Sequence, residues 1–315
     1  MSALNVRVAR KTREAEAICS YELVPVDGAA LPPFAAGAHV DVHLPNGLVR
    51  QYSLCNAPGE THRYLIAVLR AADSRGGSQA MHDDVDVGTL LTISAPRNHF
   101  PLVDAARTLL LAGGIGITPI LAMAETLAAD GAKFEFHYCV RSPERAAFLE
   151  RIRSAGFATQ VQVHYDADRT LDLASLLAAP QPGTHLYVCG PQGFIDHVLD
   201  NAKARGWSAG QLHVEYFGAA AADTGGDQPF DVRLAASGRV VTIHVGRTVL
   251  KVLAEQGVDI PYSCEEGVCG TCLTRVLEGV PDHRDLYLTD AERAANDQFT
   301  PCCSRARTPL LVLDL

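Results

Sequence analysis

Cys264-Glu265-Glu266-Gly267-Val268-Cys269-Gly270-Thr271-Cys272 sets three thiols in one short loop, and Cys302 follows with 29 residues between. This C-x4-C-x2-C…C arrangement is the plant-type spacing for a [2Fe–2S] cluster. Three thiolates from one tight loop can wrap a cluster, and a fourth from a distant segment closes the cage. Gly267 and Gly270 let the loop take unusual backbone angles and approach the sulfides closely. Its N–H groups can hydrogen-bond the sulfurs. Cys302 adjoins Cys303, only one of the two can ligate without moving the backbone, and the spacing favours Cys302. The alternative is a tetrahedral zinc. Structural zinc usually takes two CxxC pairs, or a CxxC with histidines, whereas here a lone CxxC has its third Cys five residues earlier.

The chain around this loop is long enough for two or three domains, with 315 residues. Its 48% hydrophobic and 20% charged content is an ordinary globular balance and excludes disorder along the whole chain. Nine cysteines is too few for a disulfide scaffold, and the odd number prevents complete internal pairing. No apolar run is long enough for a transmembrane helix, and the basic start has no apolar signal core. A cytoplasmic protein is expected. A net charge of -9 argues against non-specific nucleic-acid or anionic-membrane binding.

Residues 1–102 read as short strands with one helix. The strands are Leu4–Ala9, Ala17–Val24, His39–Leu44, Leu48–Leu54, Tyr64–Leu69 and Leu90–Ser94. Asn46-Gly47 is expected as a two-residue type I′ turn, and a helix is expected over Ser78–Val85. An antiparallel β-barrel is implied. From residue 103 to 218, strands at Thr108–Ala112, Phe134–Val140, Thr159–Tyr165, His185–Cys189 and His213–Phe217 alternate with helices. Those helices are Pro119–Ala129, Glu144–Ala155, Asp172–Ala178 and Gly193–Arg205. This is the pattern of a doubly wound α/β domain. Residues 219–228, rich in Ala, Gly and Asp, read as a linker. Residues 229–315 hold a hairpin, Phe230–Leu234 with Val240–Val245, then a short helix at Val249–Leu253 and a last strand at Leu310–Leu313.

Two further constellations carry chemistry. Gly113-Gly114-Ile115-Gly116-Ile117-Thr118-Pro119 joins an apolar strand to a helix. A pyrophosphate could approach that backbone and meet the free N–H groups of the helix start. Cys189-Gly190-Pro191 ends another strand of the same sheet and would face the same crevice. In the barrel, Arg50-Gln51-Tyr52-Ser53 combines a phosphate-binding guanidinium, a flat stacking ring and a hydroxyl. Arg75-Gly76-Gly77-Ser78 opens a helix. Together they describe a phosphate attached to an aromatic heterocycle.

With these motifs in this order, the chain resembles the reductase components of bacterial Rieske-type oxygenase systems, of the phthalate dioxygenase reductase and vanillate O-demethylase oxidoreductase type. The resemblance implies a flavin barrel, a nucleotide domain and an α+β (β-grasp) ferredoxin domain. It places FMN against Arg50, Tyr52, Ser53, the backbone of Ala67, Val68 and Leu69, and Arg75, Gly76, Gly77 and Ser78. Gly114, Gly116, Thr118, Cys189, Gly190 and Pro191 would serve the nicotinamide nucleotide. Phe217 would cover the flavin where nicotinamide enters. NADH is favoured. Arg141 and Ser142 stand where an acid would bind the adenine ribose and could accept a 2′-phosphate, which keeps NADPH open. The implied chemistry is hydride transfer from NADH to FMN, then single electrons through the cluster to a Rieske-type oxygenase acting on an aromatic compound. That partner would dock at the ferredoxin domain near Glu265 and Glu266, and a monomer is expected. No acid–base residue is assigned. The competing readings are a non-catalytic redox-sensing or electron-storage protein, and a reductase for a diiron or cytochrome P450 monooxygenase.

Overall fold

The computed structural model describes residues 3–72, 74–167, 171–218 and 225–315. Most of the expected linker, 219–224, lies outside the described residues. The chain divides into two compact units, Met1–Glu215 and Tyr216–Leu315.

In the first unit, alternating apolar residues build β1 (Ala3–Ala15), β2 (Ile18–Pro25), β3 (Ala38–His43), β4 (Val49–Ser53) and β5 (Tyr64–Leu69). After α1 (Gly77–Asp83) come β6 (Leu90–Ser94) and the short β7 (Arg97–Asn98). All pairs are antiparallel, in the order β4-β3-β6-β1-β2-β5 with β7 beside β3. Val6, Val8, Tyr21, Leu23, Val40, Val42, Ile66, Val68, Leu91 and Ile93 all bury into one core. Each such aliphatic side chain contributes about 1.5–3 kcal/mol on burial. The barrel strands curl around this core without closing, since no ladder joins β4 to β5.

The β3–β4 turn differs from the expected type I′ form. The Gly47 N–H donates to Leu44 C=O (2.9 Å), Leu44 N–H donates to Leu48 C=O (2.8 Å), and only Gly47 has positive φ, at +81°. Pro45 is the reason. Its fixed negative φ suits the second position of an ordinary turn, and the glycine then supplies the left-handed residue of a three-residue loop.

The second half of this unit holds β8 (Arg107–Gly113), α2 (Ile117–Ala129), β9 (Phe134–Val140), α3 (Leu149–Ser154), β10 (Val161–Tyr165), α4 (Leu173–Leu176), β11 (Thr184–Cys189), α5 (Gln192–Ala204) and β12 (Leu212–Glu215). The five strands are parallel, in the doubly wound order β10-β9-β8-β11-β12. The helix α2 is apolar nearly all round, so both its sides must be covered. It shares one core with the sheet residues Leu110, Ala112, Phe136 and Tyr138 and with Ile18, Ala36, Cys55, Ala67 and Phe100 from the barrel half. That shared core joins barrel and sheet into one unit.

The helix expected over Glu144–Ala155 is shorter. A single turn at Pro143–Arg145 breaks off, Phe148 takes φ +62°, and only Leu149–Ser154 is α-helical. Ala146, Ala147 and Phe148 plug the core, and Ala147 N–H donates to the Tyr138 hydroxyl (3.1 Å). Burial therefore overrides helix propensity here. The strand expected over His213–Phe217 ends at Glu215, leaving Phe217 outside it.

The second unit contains β13 (Phe230–Leu234), β14 (Val240–Ile243), α6 (Val249–Glu255), β15 (Thr274–Glu278), β16 (Pro281–Asp282), α7 (Asp290–Ala295), β17 (Gln298–Phe299), β18 (Arg305–Ala306) and β19 (Leu310–Leu313). Its main sheet runs β14-β13-β19-β15-β17. The β13–β19 pair is parallel, and the other pairs are antiparallel. One face packs on Val249, Leu250 and Leu253 of α6, giving the β-grasp layering. Among the described residues, no helix is long and apolar enough to cross a membrane.

Between β9 and β10, His137 Nδ1 and His164 Nε2 lie 3.0 Å apart in a buried stacked pair. Burial, with His164 nearby, lowers the His137 pKa to about 4. The unfolded chain binds this proton near pH 6.5, so stability is lost as pH falls from about 6.5 toward 4. Thermal melts across that range should show His137→Leu less acid-sensitive than the parent. An unchanged slope would remove His137 as the cause.

Candidate functional site

The cysteine loop follows α6 and precedes β15. Gly267 and Gly270 have φ of +72° and +67°, as a tight wrap requires. Neither position has room for a side chain. A Cβ on Gly267 would stand 2.4 Å from Cys303 Sγ, and one on Gly270 would stand 2.3 Å from the Tyr287 ring. Cys264, Cys269, Cys272 and Cys302 are all buried. Cys264 hydrogen-bonds Cys269, and Cys302 hydrogen-bonds both Cys272 and Cys303. The pairing holds Cys269 and Cys272 below the ordinary thiol pKa and pushes their partners up. Among the described residues, no three metal-ligating groups converge on one point. Four buried thiols, three from one loop and one from a distant turn, suit a [2Fe–2S] cluster. Two backbone N–H groups already point at these sulfurs, Glu266 to Cys264 (3.3 Å) and Thr271 to Cys269 (3.4 Å). Cys303 hydrogen-bonds Cys302 and lies 3.3 Å from Thr300 Oγ1.

Glu265 takes φ +57° and lies 3.7 Å from Lys251 Nζ. The Glu266 carboxylate lies against Gly218, where a Cβ would stand 2.9 Å from it.

The nucleotide crevice forms at the carboxyl ends of β8 and β11, where the strand order reverses. Gly116 presses on the end of β11 so closely that a Cβ would lie 2.3 Å from Cys189 O and 2.6 Å from Gly190 N. A Cβ on Gly190 would meet Gly113 Cα at 2.9 Å. Gly114 is different, because its φ is +53° and nothing lies within 4 Å of a Cβ there. Two glycines lock the turns together, and the third leaves backbone open to a phosphate. Thr118 is buried and spends its hydroxyl on Ile115 C=O (3.1 Å). Pro191 caps α5, whose first turn opens beside this crevice. Arg141 is exposed, while the Ser142 hydroxyl holds the Glu144 carboxylate and lowers its pKa. Asp166 stands at the end of the neighbouring β10, close enough to raise the Cys139 thiol further after burial has done most.

The residues expected to hold the flavin gather on β4, β5 and the start of α1. The Arg50 side chain lies across Gly77, where a Cβ would stand 2.6 Å from Nε. Gly76 has φ +88°, and Asn46 Nδ2 donates to its carbonyl (3.2 Å). Ser78 Oγ donates to Ser74 Oγ (3.0 Å). Arg75 precedes this turn. Tyr52 is half-buried against the barrel core, and burial raises its hydroxyl pKa. The strand β5 ends the sheet, so one edge of Ala67, Val68 and Leu69 carries no strand partner. It lies beside the Gly114–Gly116 turn. A side chain at Gly77 would displace Arg50, so the cradle fits a phosphate-bearing flat ring. Phe217, in the second unit, is 39% exposed.

The residue that the sequence reading passed over is Glu215. Its carboxylate accepts a hydrogen bond from Ser53 Oγ (3.4 Å), and burial raises its pKa to about 8. The neighbouring Cys189 thiol is also pushed up, by burial first and then by Glu215. A glutamate ending an apolar parallel strand was the available signal.

These features define an electron-transfer flavoprotein with a built-in iron–sulfur module. Residues 232–307 match the 2Fe-2S iron-sulfur cluster binding domain model, and 97–212 match the N-terminal domain model of dimethylamine monooxygenase subunit DmmA-like proteins. The vanillate O-demethylase oxidoreductase of Pseudomonas putida is 58% identical, over 98% of both chains. The solved phthalate dioxygenase reductase, described as a modular structure for electron transfer from pyridine nucleotides to [2Fe-2S], is 42% identical. It covers 100% of this chain and 98% of its own, with a TM-score of 0.80. An intact type IV self-sufficient cytochrome P450 monooxygenase is 40% identical over 99% of this chain and 41% of its own, with a TM-score of 0.86. The chain belongs to the family of oxygenase-system reductase components that includes vanillate O-demethylase oxidoreductase and phthalate dioxygenase reductase.

Gly116→Ala should weaken NADH binding at least about tenfold, since the locked turns must part. Equilibrium titration with NAD+ checks this, and unchanged affinity would show that the contact is not needed. Glu215 stays protonated up to about pH 8 when folded but ionises near 4.5 when unfolded, so the parent loses stability as pH rises between them. Glu215→Gln should therefore gain on the parent in melts taken from pH 5 to pH 8. A constant difference would show that the carboxyl is ionised throughout.

Proposed function

We propose that this protein takes hydride from NADH at the β8–β11 crevice and delivers single electrons to a Rieske-type oxygenase that acts on an aromatic compound. The observation that carries this reading is the Ser53–Glu215 contact. It joins the flavin strand β4 to the last strand of the nucleotide sheet, so the two sites abut within one unit. Bound FMN supplies the conversion of a two-electron hydride into single electrons, which a [2Fe–2S] cluster can accept.

The chain's own groups then bind and orient. Arg50, with Arg75 and the Gly76-Gly77-Ser78 turn, would hold the flavin phosphate. The unpaired edge of Ala67–Leu69 and the Tyr52 ring would set the plane of the ring. Gly114 and the α5 start at Pro191 would take the pyrophosphate. Glu215, held by Ser53 and kept neutral by burial together with Cys189, would tie the flavin strand to the nucleotide sheet. Cys264, Cys269, Cys272 and Cys302 would hold the cluster. Phe217 would stack over the flavin until nicotinamide arrives. The boundaries 1–102, 103–218 and 229–315 separate these three jobs, and a monomer suffices for them.

NADH is supported over NADPH by the anionic Glu144, which Ser142 holds near Arg141 and which would repel a 2′-phosphate. Docking through Glu265 and Glu266 is supported by their place in the cluster loop. The relation to a self-sufficient cytochrome P450 monooxygenase favours one second reading, with a haem enzyme as electron acceptor. Reduction of purified Rieske oxygenase and of a cytochrome P450, each by this protein with NADH, separates the two.

Cys302→Ser should abolish the [2Fe–2S] absorption and electron delivery to the oxygenase, while leaving NADH reduction of bound flavin intact. Loss of the cluster on Cys303→Ser with survival of Cys302→Ser would reassign the ligand. Failure of flavin reduction in the fully loaded parent would overturn the reductase reading.

A further inference from the structure

We infer that the second unit carries a small-oxyanion site separate from its cysteine loop. A cavity of about 340 Å³ lies between the β15–β16 connection and α7, lined by Arg293, Arg307, His283, Asn296 and the apolar Val280 and Pro281. No carboxylate lines it. The His283 side chain is only 7% exposed, and neither ring nitrogen has a hydrogen-bond partner. Arg293 Nε is buried and unpartnered as well. Buried polar nitrogens without a hydrogen-bond partner are rare in a folded protein, and an ordered ion or water accounts for such groups.

The cavity wall presents Arg293 and Arg307, while the nearest carboxylates, Asp285 (3.9 Å from Arg293 Nη2) and Asp282, lie outside it. Asp285, whose side chain is fully buried, lies 3.7 Å from the imidazole Nδ1. Its own oxygens are engaged by the N–H groups of Tyr287 (3.2 Å) and Leu288 (2.8 Å) and by Ser304 Oγ (3.4 Å). Arg293 Nη2 donates to the Asp285 carbonyl, which fixes that guanidinium at the cavity wall. Arg307 is 68% exposed, and its contact with Asp282 Oδ1 is loose at 3.4 Å, so it is free to swing over an entering ligand. Two guanidiniums flanking an imidazole recognise the oxygen fork of a phosphate or a carboxylate. The volume limits the ligand to a small one. Its site is tied to the cluster loop, because Leu286 N–H donates to Gly267 C=O (3.0 Å).

The test uses the full chain loaded with FMN and cluster, with saturating NAD+ so that neither nucleotide site is open. Inorganic phosphate and benzoate are titrated separately by calorimetry. One saturable site for either ligand is expected, weakened at least about tenfold in both Arg307→Gln and His283→Phe. Melting temperature and NADH-dependent ferricyanide reduction should be unchanged in Arg307→Gln. Phosphate alone would define a phosphate site, and benzoate alone a carboxylate site. No saturable binding of either up to about 10 mM would overturn the inference, and so would binding that Arg307→Gln leaves intact.

Discussion

Backbone lies on backbone where Gly116 meets Cys189, and the working half of the molecule depends on that contact. A Cβ there would stand 2.3 Å from the Cys189 carbonyl oxygen, so only hydrogen fits. The contact draws the end of β8 onto the end of β11 at the point where the sheet reverses its winding. It also determines what lies above. The helix α2 starts directly after Gly116, and its buried faces hold the barrel against the sheet. With α2 in place, β5 of the barrel lies beside the glycine turn, and Ser53 of β4 reaches Glu215 at the end of β12.

The electrostatics of this crevice differ from those of the cysteine loop, and the difference follows from what each must hold. Around Cys189 and Glu215, desolvation keeps a thiol and a carboxyl in their neutral forms. In the cysteine loop, hydrogen bonds from neighbours and from backbone N–H groups stabilise sulfur in its anionic form. Thiolates are the form that binds iron.

Legibility in the sequence tracked how local the cause was. The parallel sheet was readable because its strands are buried on both faces and appear as continuous apolar runs. The cysteine loop was readable because its spacing and glycines are one local unit. Elements set by distant packing were not. The residues Glu144–Phe148 have helical character, but Ala146, Ala147 and Phe148 are pulled into the core around Tyr138. The strands β15 to β18 are short and polar enough to pass for loop, and they exist because β19 and one another offer ladders. Glu215 was invisible as a site residue, since its importance lies in Ser53, 162 residues away in sequence. The Pro45 effect was local but outranked by the better-known Asn-Gly signal.

The adjacent Cys302 and Cys303 show how neighbouring identical side chains acquire separate jobs. The chain before them ends a strand pair at Phe299, and Thr300 and Pro301 turn it under the cysteine loop. In that turn Cys302 faces Cys272, while Cys303 faces Thr300 and the missing side chain of Gly267. Gly267 thus has no side chain because Cys303 fills the place of one. Sulfur at that spot supports the loop from behind, between Gly267 and the buried Asp285. A larger residue at 303 would push the loop outward. The glycine at 267 and the cysteine at 303 are thus two halves of one steric requirement.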